Sequence, residues 1–518
     1  MGRQAASLRV SSSVLIYGPI LLILGLLAVH VLGAWQDFAA AIASPLEIDY
    51  GEGIVWQQAV LIPGPSMYSR SQSLPFIVFH YPPLFHLITR ALAYVMPSVL
   101  AAGRLVSVMS TLSISVCVAA TVGVAVRVPG QPYSLTDLLA MAIAAMLLLC
   151  LHAVHVWGMV MRVDATAIAF AMAGVLVGAA GNGRFAPTLI GLLLCLCAVF
   201  TKQTQVSAGI ALFLVTLLRN PRSALLAALI VGTIGLGALG LLQWITHGGF
   251  LLNIVGYNIN RFSLQSFYNT YWAERSSLFV AIPALASIPV LLNPMRDSAS
   301  GEQGCRVGLR ARLIARLANR AVACRALLAT YVFFSTCTLV MTFKSGSNFN
   351  YLFEWLVVAC AIVGVALADL ARGAVGRRGS AGLLALLMPI LVYLVFMPAR
   401  LATYLHDPNA LALSQELVER IASASKPVAS DNMTLLMQAG KRVIYEPAIV
   451  TELAETGLWD EAPLVNMIQA HGFAFIITAG DAQVQASRRT VAVKAAIEAA
   501  YPKVEQLGPQ IWVNLPPA

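Results

Sequence analysis

"EIDYGEGIVWQQAVLIPGPSMYSRSQSLPFIVFHYPPLFHLI", residues 47–88, decides how this chain is read. It follows an apolar run from Val14 to Trp35 that is long enough to cross a bilayer. It opens with three carboxylates in six positions, Glu47, Asp49 and Glu52, and closes on His80-Tyr81-Pro82-Pro83. An acidic cluster beside a membrane anchor calls for a chemical explanation.

The rest of the chain sets the context. Of 518 residues 59% are apolar and 11% charged, and the mean hydropathy is +0.79. Soluble domains carry about a quarter charged residues, so this composition belongs in lipid. Apolar runs of about 20 residues, the length of a membrane helix, recur over the first 400 positions. Eleven spans are predicted, centred near residues 24, 113, 143, 173, 192, 212, 235, 284, 333, 360 and 389. The first run lacks a small-residue cleavage site before the polar loop and reads as a retained anchor.

The basic residues orient the spans. With the N-terminus inside, cytoplasmic segments hold 16 arginines, from Arg3 and Arg9 through the Arg296–Arg325 group to Arg372, Arg377 and Arg378. Only Asp137, Asp297, Glu302 and Asp369 accompany them. The formal net charge of +10 is therefore a positive-inside signature. A nucleic-acid partner is excluded, because the arginines alternate between loops instead of lining one face. Eleven spans put residues 47–88 and the C-terminus outside. The eight cysteines lie in or beside spans or, for Cys305, in a cytoplasmic loop, so no exterior disulfide framework is expected.

After Arg400 the spans stop. "LALSQELVERIA" and "EAPLVNMIQAHG" have helical spacing, while "KPVAS", "KRVIY", "FAFIITAG" and "IWVNL" read as short strands. The expected organisation is an all-α polytopic membrane domain, 1–400, followed by a small exterior α/β domain, 401–518, whose plainest role is a lid or acceptor-docking module. Within the loop, Gly53–Ile62 and Leu84–Met96 are predicted to be short helices lying on the membrane surface. They would hold the carboxylates where a soluble acceptor meets a lipid-linked donor. Gly51 and Gly53 would give a substrate room to approach.

Other polar groups reach the same side. They are Arg104, His152, His155, Arg162, Asp164, Lys202, Gln203, Asn258, Asn260, Arg261, Lys344, Asn348, Asn350, Tyr351 and Glu354. Ionisable residues at membrane depth are costly and usually functional. Moving a sugar from a lipid phosphate to a hydroxyl needs a carboxylate to take the proton and cations to hold the departing phosphate. Arg104, Lys202, Arg261 and Lys344 are the phosphate candidates, with Asn348 and Tyr351 beside them. Arg162 is expected to be ion-paired with Asp164. Glu47, His80 and Tyr81 would line the acceptor loop. The pair His152-x-x-His155 is too sparse for a metal site.

The order "EIDYGEG", "HYPPLF", "GRLVS", "MRVDATAIAF", "FTKQT" and "SGSNFNYLFE" resembles the GT-C glycosyltransferases. More narrowly, it is similar to a bacterial branch related to the protein O-mannosyltransferases and the lipid A aminoarabinose and galacturonic acid transferases. The resemblance covers roughly residues 13 to 400. It implies an inverting transfer of a sugar from a polyprenyl-phosphate donor to a lipid, glycan or protein acceptor, in the bacterial inner membrane. It maps the catalytic aspartate onto Asp49, with Glu52 orienting the acceptor or a cation. Some relatives use a divalent cation; no cofactor is assigned here. The adjacent acidic pair of the mannosyltransferases is absent. The alternatives are a transporter or flippase of lipid-linked glycans, a polymerase or ligase of diphosphate-linked glycans, and a non-catalytic envelope subunit. The asymmetric first loop and the absence of a repeat between the halves argue against transport.

Overall fold

The computed structural model describes residues 2–258, 261–293, 314–373 and 377–517. Asn260, Cys305 and most of the Arg296–Arg325 group lie outside the described residues. Among the described residues, seven helices are long and apolar enough to cross a membrane, and an eighth span is made if the bent pair Leu135–Cys150 and His152–Met159 counts as one. Three shorter apolar helices, Phe185–Val199, Ser207–Arg219 and Ser380–Phe396, complete the set. Each of the eleven expected centres falls in one of these helices.

Burial separates their roles. Asn350–Gly373 is 94% buried over its apolar window and packs against Val99–Val126, Leu135–Cys150 and Arg320–Thr338, forming the hub of the bundle. Pro221–Ile245, the most apolar span, is only 6% buried; its leucines meet lipid. The end of the bundle far from residue 47 is tied by charge. Arg325 forks onto Asp369 at 2.5 and 2.9 Å, and Arg372 bonds Asp137. Neighbouring helices are thereby cross-linked through groups that lipid could not solvate.

The C-terminal region carries a four-stranded sheet in the order β1-β2-β4-β3: β1 Ala429–Ser430, β2 Ile476–Ala479, β3 Lys503–Gly508 and β4 Ile511–Leu515. β1 and β2 are parallel; the other pairings are antiparallel. Expected helices appear at Pro408–Ser423 and Ala462–Gln469. One expected strand differs. "KRVIY" stays outside the sheet and meets the first loop through an isolated bridge, Tyr445 to Phe76. β3 escaped the pattern because "KVEQLG" carries little apolar alternation on an edge strand.

One of the two expected surface helices needs correction; the other forms over Leu84–Leu92. Glu52–Leu61 is buried almost all round, from Glu52 to Ala59, and lies between the spans and the C-terminal domain instead of on a membrane surface. Gly53 makes this possible: a methyl there would meet Met433 C at 2.4 Å and Thr434 N at 2.5 Å. Gln57 adds a two-way clasp, donating to Val443 O at 3.2 Å and accepting from Val443 N at 2.9 Å. Loop and tail domain are thus on one side of the bundle and packed together.

Candidate active site

The three carboxylates of the opening stretch have three different fates. Glu52 is fully buried. Its carboxylate accepts from Arg104 Nε at 2.8 Å and Nη2 at 2.6 Å, and from the N–H groups of Ile48 and Met161, each at 2.8 Å. Arg104 spends its other N–H groups on the carbonyls of Ala41, Ser44 and Leu46. Every donor of this guanidinium is used and no solvent reaches it. Arg104 therefore does not hold a phosphate and Glu52 does not meet an acceptor; together they fasten the 41–52 turn to helix Val99–Val126. Breaking a buried pair from one side leaves an unpaired charge. Arg104→Ala should destabilise the fold by about 3–5 kcal/mol, seen as a lower unfolding temperature. An unchanged temperature with lost ligand binding would restore its phosphate role.

Glu47 does not line the cavity that Asp49 borders. One of its oxygens is enclosed without a partner among the described residues. Burial, with Glu52 and Asp49 nearby, pushes its pKa well above the carboxylate range.

Asp49 alone of the three lines a cavity, of about 320 Å³. Its Oδ2 accepts from Gly51 N–H at 3.0 Å and lies 3.4 Å from Arg162 Nη1. Burial raises the Asp49 pKa; Arg162 works against that rise and Glu52 adds to it. Gly51 makes room for the guanidinium, not for substrate: a methyl there would sit 1.6 Å from Arg162 Nη1. Gly51→Ala would therefore displace Arg162.

Arg162 follows the 67° bend between Leu135–Cys150 and His152–Met159. Its guanidinium is 5.5 Å from the Trp157 ring and 5.8 Å from the Tyr81 ring, and it donates to Tyr81 Oη at 3.2 Å. Burial opposes its charge, but Tyr81, Asp49 and Asp164 outweigh that and raise its pKa. Burial also raises Tyr81, to about 12. The expected Arg162–Asp164 ion pair is not formed. Asp164 takes Lys202 at 2.6 Å and Asn350 Nδ2 at 2.8 Å. Burial disfavours the Lys202 charge, yet Asp164 lifts its pKa above the usual value.

Lys202 lies beneath the cavity, 4.5 Å from the centre of the Tyr351 ring, and lines a separate small chamber with Gln205 and Glu354. It supports Tyr351 and Asn350 instead of facing the cavity. Arg261 is also elsewhere, bound to the Glu455 carbonyl at 2.7 Å and to its carboxylate at 3.4 Å on the C-terminal domain. Lys344, Asn348, Tyr351, His80 and Tyr81 do line the cavity. Burial lowers the Lys344 pKa to about 8, with Glu452 opposing.

The histidine pair does not converge. His152 bonds Glu274 at 2.5 Å, and His155 faces Asp37 at 3.2 Å. Among the described residues no group of three or more histidines, cysteines and acids is placed to hold a metal.

Two features go beyond what the sequence assigned to particular residues. The tail domain walls the cavity with Glu446, Glu452, Ser487 and Arg488, the last packed 4.0 Å over the Tyr50 ring. A second, apolar cavity of about 920 Å³ lies between Leu278, Phe279 and Ile282 on one side and Met388, Val392 and Met397 on the other. His152 lines it and contacts Phe349, whose edge meets Trp157 at 5.9 Å on the polar cavity's wall. The larger cavity is greasy; the smaller one holds the acid and the cations.

Among solved structures the chain is similar to two of ArnT from Cupriavidus metallidurans, one in the apo state and one bound to undecaprenyl phosphate. Identity is 14% and 13%, with TM-scores of 0.49 and 0.47. The alignments cover 95% of this chain and 97% and 98% of those chains. These likenesses are too remote to carry chemistry from those proteins to this one. The chain matches no protein-family model and no curated protein.

Proposed function

We propose that the protein is an inverting glycosyltransferase. It moves a sugar from a polyprenyl-phosphate donor to a hydroxyl acceptor at the exterior membrane face. One observation carries this reading: a carboxylate under Arg162 shares a polar cavity with Lys344, beside a large apolar groove at membrane depth. Asp49 takes the acceptor hydroxyl's proton as that oxygen bonds to the sugar's anomeric carbon. The bond from that carbon to the phosphate oxygen breaks, and the charge gathering on the departing phosphate falls to Arg162 and Lys344. Asn348 and Tyr351 border the same space. The apolar groove suits the isoprenoid, and the aromatic link through Phe349 joins it to the polar cavity. Residues 1–400 then supply the donor side and the base. The positive-inside charge pattern supports an exterior position for both cavities.

Lys344 gives this reading a pH signature. Its charge is present below about pH 8 and is lost as pH rises through that value. Donor kcat/KM should therefore fall above about pH 8, and Lys344→Arg should carry activity past that limb. A profile identical in the two proteins would remove Lys344 from phosphate binding.

The reading itself is tested with purified protein in vesicles, supplied with a panel of undecaprenyl-phosphate-linked sugars and an envelope lipid and glycan extract. Free undecaprenyl phosphate and a new glycoside are the expected products. Movement of intact donor between leaflets with no cleavage would mark a flippase.

A further inference from the structure

Across the cavity wall from Asp49, His80 is fixed from two directions. Its carbonyl accepts from Gln203 Nε2 at 2.9 Å and Asn258 Nδ2 at 3.0 Å. Its ring Nε2 lies 2.9 Å from Glu446 Oε2, and both side chains are largely buried. Glu446 comes from the C-terminal domain, 366 residues away. The strand-like segment that carries it is clipped to the first loop at each side. Phe76 N–H donates to Ile444 O at 2.8 Å, Gln57 clasps Val443, and Ala448 N–H donates to Tyr50 Oη at 3.1 Å. So the placement of Glu446 is a consequence of the whole interface and not of one flexible side chain.

A carboxylate only accepts hydrogen bonds, so a neutral His80 carries its proton on Nε2 and leaves Nδ1 with a lone pair. His80 lines the cavity, and its Nδ1 has no protein partner among the described residues. A histidine whose tautomer is set by a carboxylate behind it is a hydrogen-bond acceptor of defined direction. The tail domain adds Ser487 and Glu452 to the lining of the same cavity, and Asn348 borders it too. These are groups suited to hydroxyls.

We propose that the C-terminal domain completes the acceptor subsite: Glu446 is a positioning residue that holds His80, and His80 Nδ1 accepts a hydrogen bond from a hydroxyl of a glycan-type acceptor. The inference rests on the transferase reading above and names the half of the site that reading leaves open. It also gives the tail domain a role inside the active site instead of as a cover.

The test titrates the envelope lipid and glycan extract as acceptor against a fixed undecaprenyl-phosphate sugar that the wild type consumes. Glu446→Leu and His80→Phe should each raise the half-saturating acceptor concentration about tenfold, the scale of one hydrogen bond. The double variant should be no worse than His80→Phe alone, because Glu446 acts through that ring. Glu446→Gln keeps a carbonyl that can accept from Nε2–H and should retain most of the acceptor affinity. Binding of undecaprenyl phosphate alone should not move in any of them.

Unchanged acceptor saturation in Glu446→Leu would overturn the proposal, as would equal weakening of undecaprenyl phosphate binding. A loss in Glu446→Gln as large as in Glu446→Leu would replace positioning by charge and overturn it too. A wild type that transfers no sugar sinks the transferase reading and this inference with it. An active wild type with unaffected variants sinks the inference alone.

Discussion

Asp49→Asn should reduce sugar transfer by about 10²-fold or more, the usual contribution of a general base, while leaving undecaprenyl phosphate binding intact. Asparagine keeps the size of the side chain and can still accept from Gly51 N–H, but it takes no proton. The geometry sharpens this expectation, because only Asp49 of the three clustered acids lines the cavity. Glu52 is spent on Arg104, and Glu47 does not border the cavity. The pH profile carries a second signature. A base must be deprotonated, so activity is lost as pH falls through the Asp49 pKa. Burial raises that pKa, which moves the acid limb to higher pH than an exposed aspartate would give. Wild-type transfer by Asp49→Asn would move the base elsewhere or remove it.

Arg162→Gln should cost about 10²–10³-fold in kcat, the scale seen when one donor to a developing charge is removed. Arg162 packs between Trp157 and Tyr81 beside Asp49, so its charge is poorly screened and its position is set before substrate arrives. The loss should exceed that from a cation outside the cavity: Arg261→Gln, whose guanidinium is bound to Glu455 of the tail domain, should stay within a few-fold of wild type. Arg162 also lowers the Asp49 pKa. Its removal should therefore shift the acid limb to higher pH, an effect that lost phosphate binding alone would not produce. Equal effects of the two arginine variants would contradict the placement of the cavity.

What the sequence made legible was what local pattern encodes. Apolar runs located the spans, and three acids in six residues located the loop. Which acid faces the cavity was not legible, because that is decided by partners distant in the chain. Glu52 meets Arg104 from 52 residues away, and Lys202 meets Asp164 from 38 away. Pairing Arg162 with Asp164 followed proximity in sequence, yet groups two apart at a helix start point to different sides. Arg162 instead finds Asp49. Arg104 and Arg261 read as phosphate donors because a guanidinium's five N–H groups cannot be allotted without coordinates. Glu446 carried no signal at all; it matters only because "KRVIY" leaves the sheet to run along residues 74–80.

On this mechanism the sugar leaves its polyprenyl phosphate in one displacement, with Asp49 as the single base. The most direct test follows one turnover of purified protein with a donor of known anomeric configuration and reads the product glycoside by proton NMR. Opposite configuration, with one undecaprenyl phosphate released per glycoside formed, is the predicted result. Retained configuration would require a covalent intermediate, and an uncleaved donor would mean no transfer; either would contradict the account.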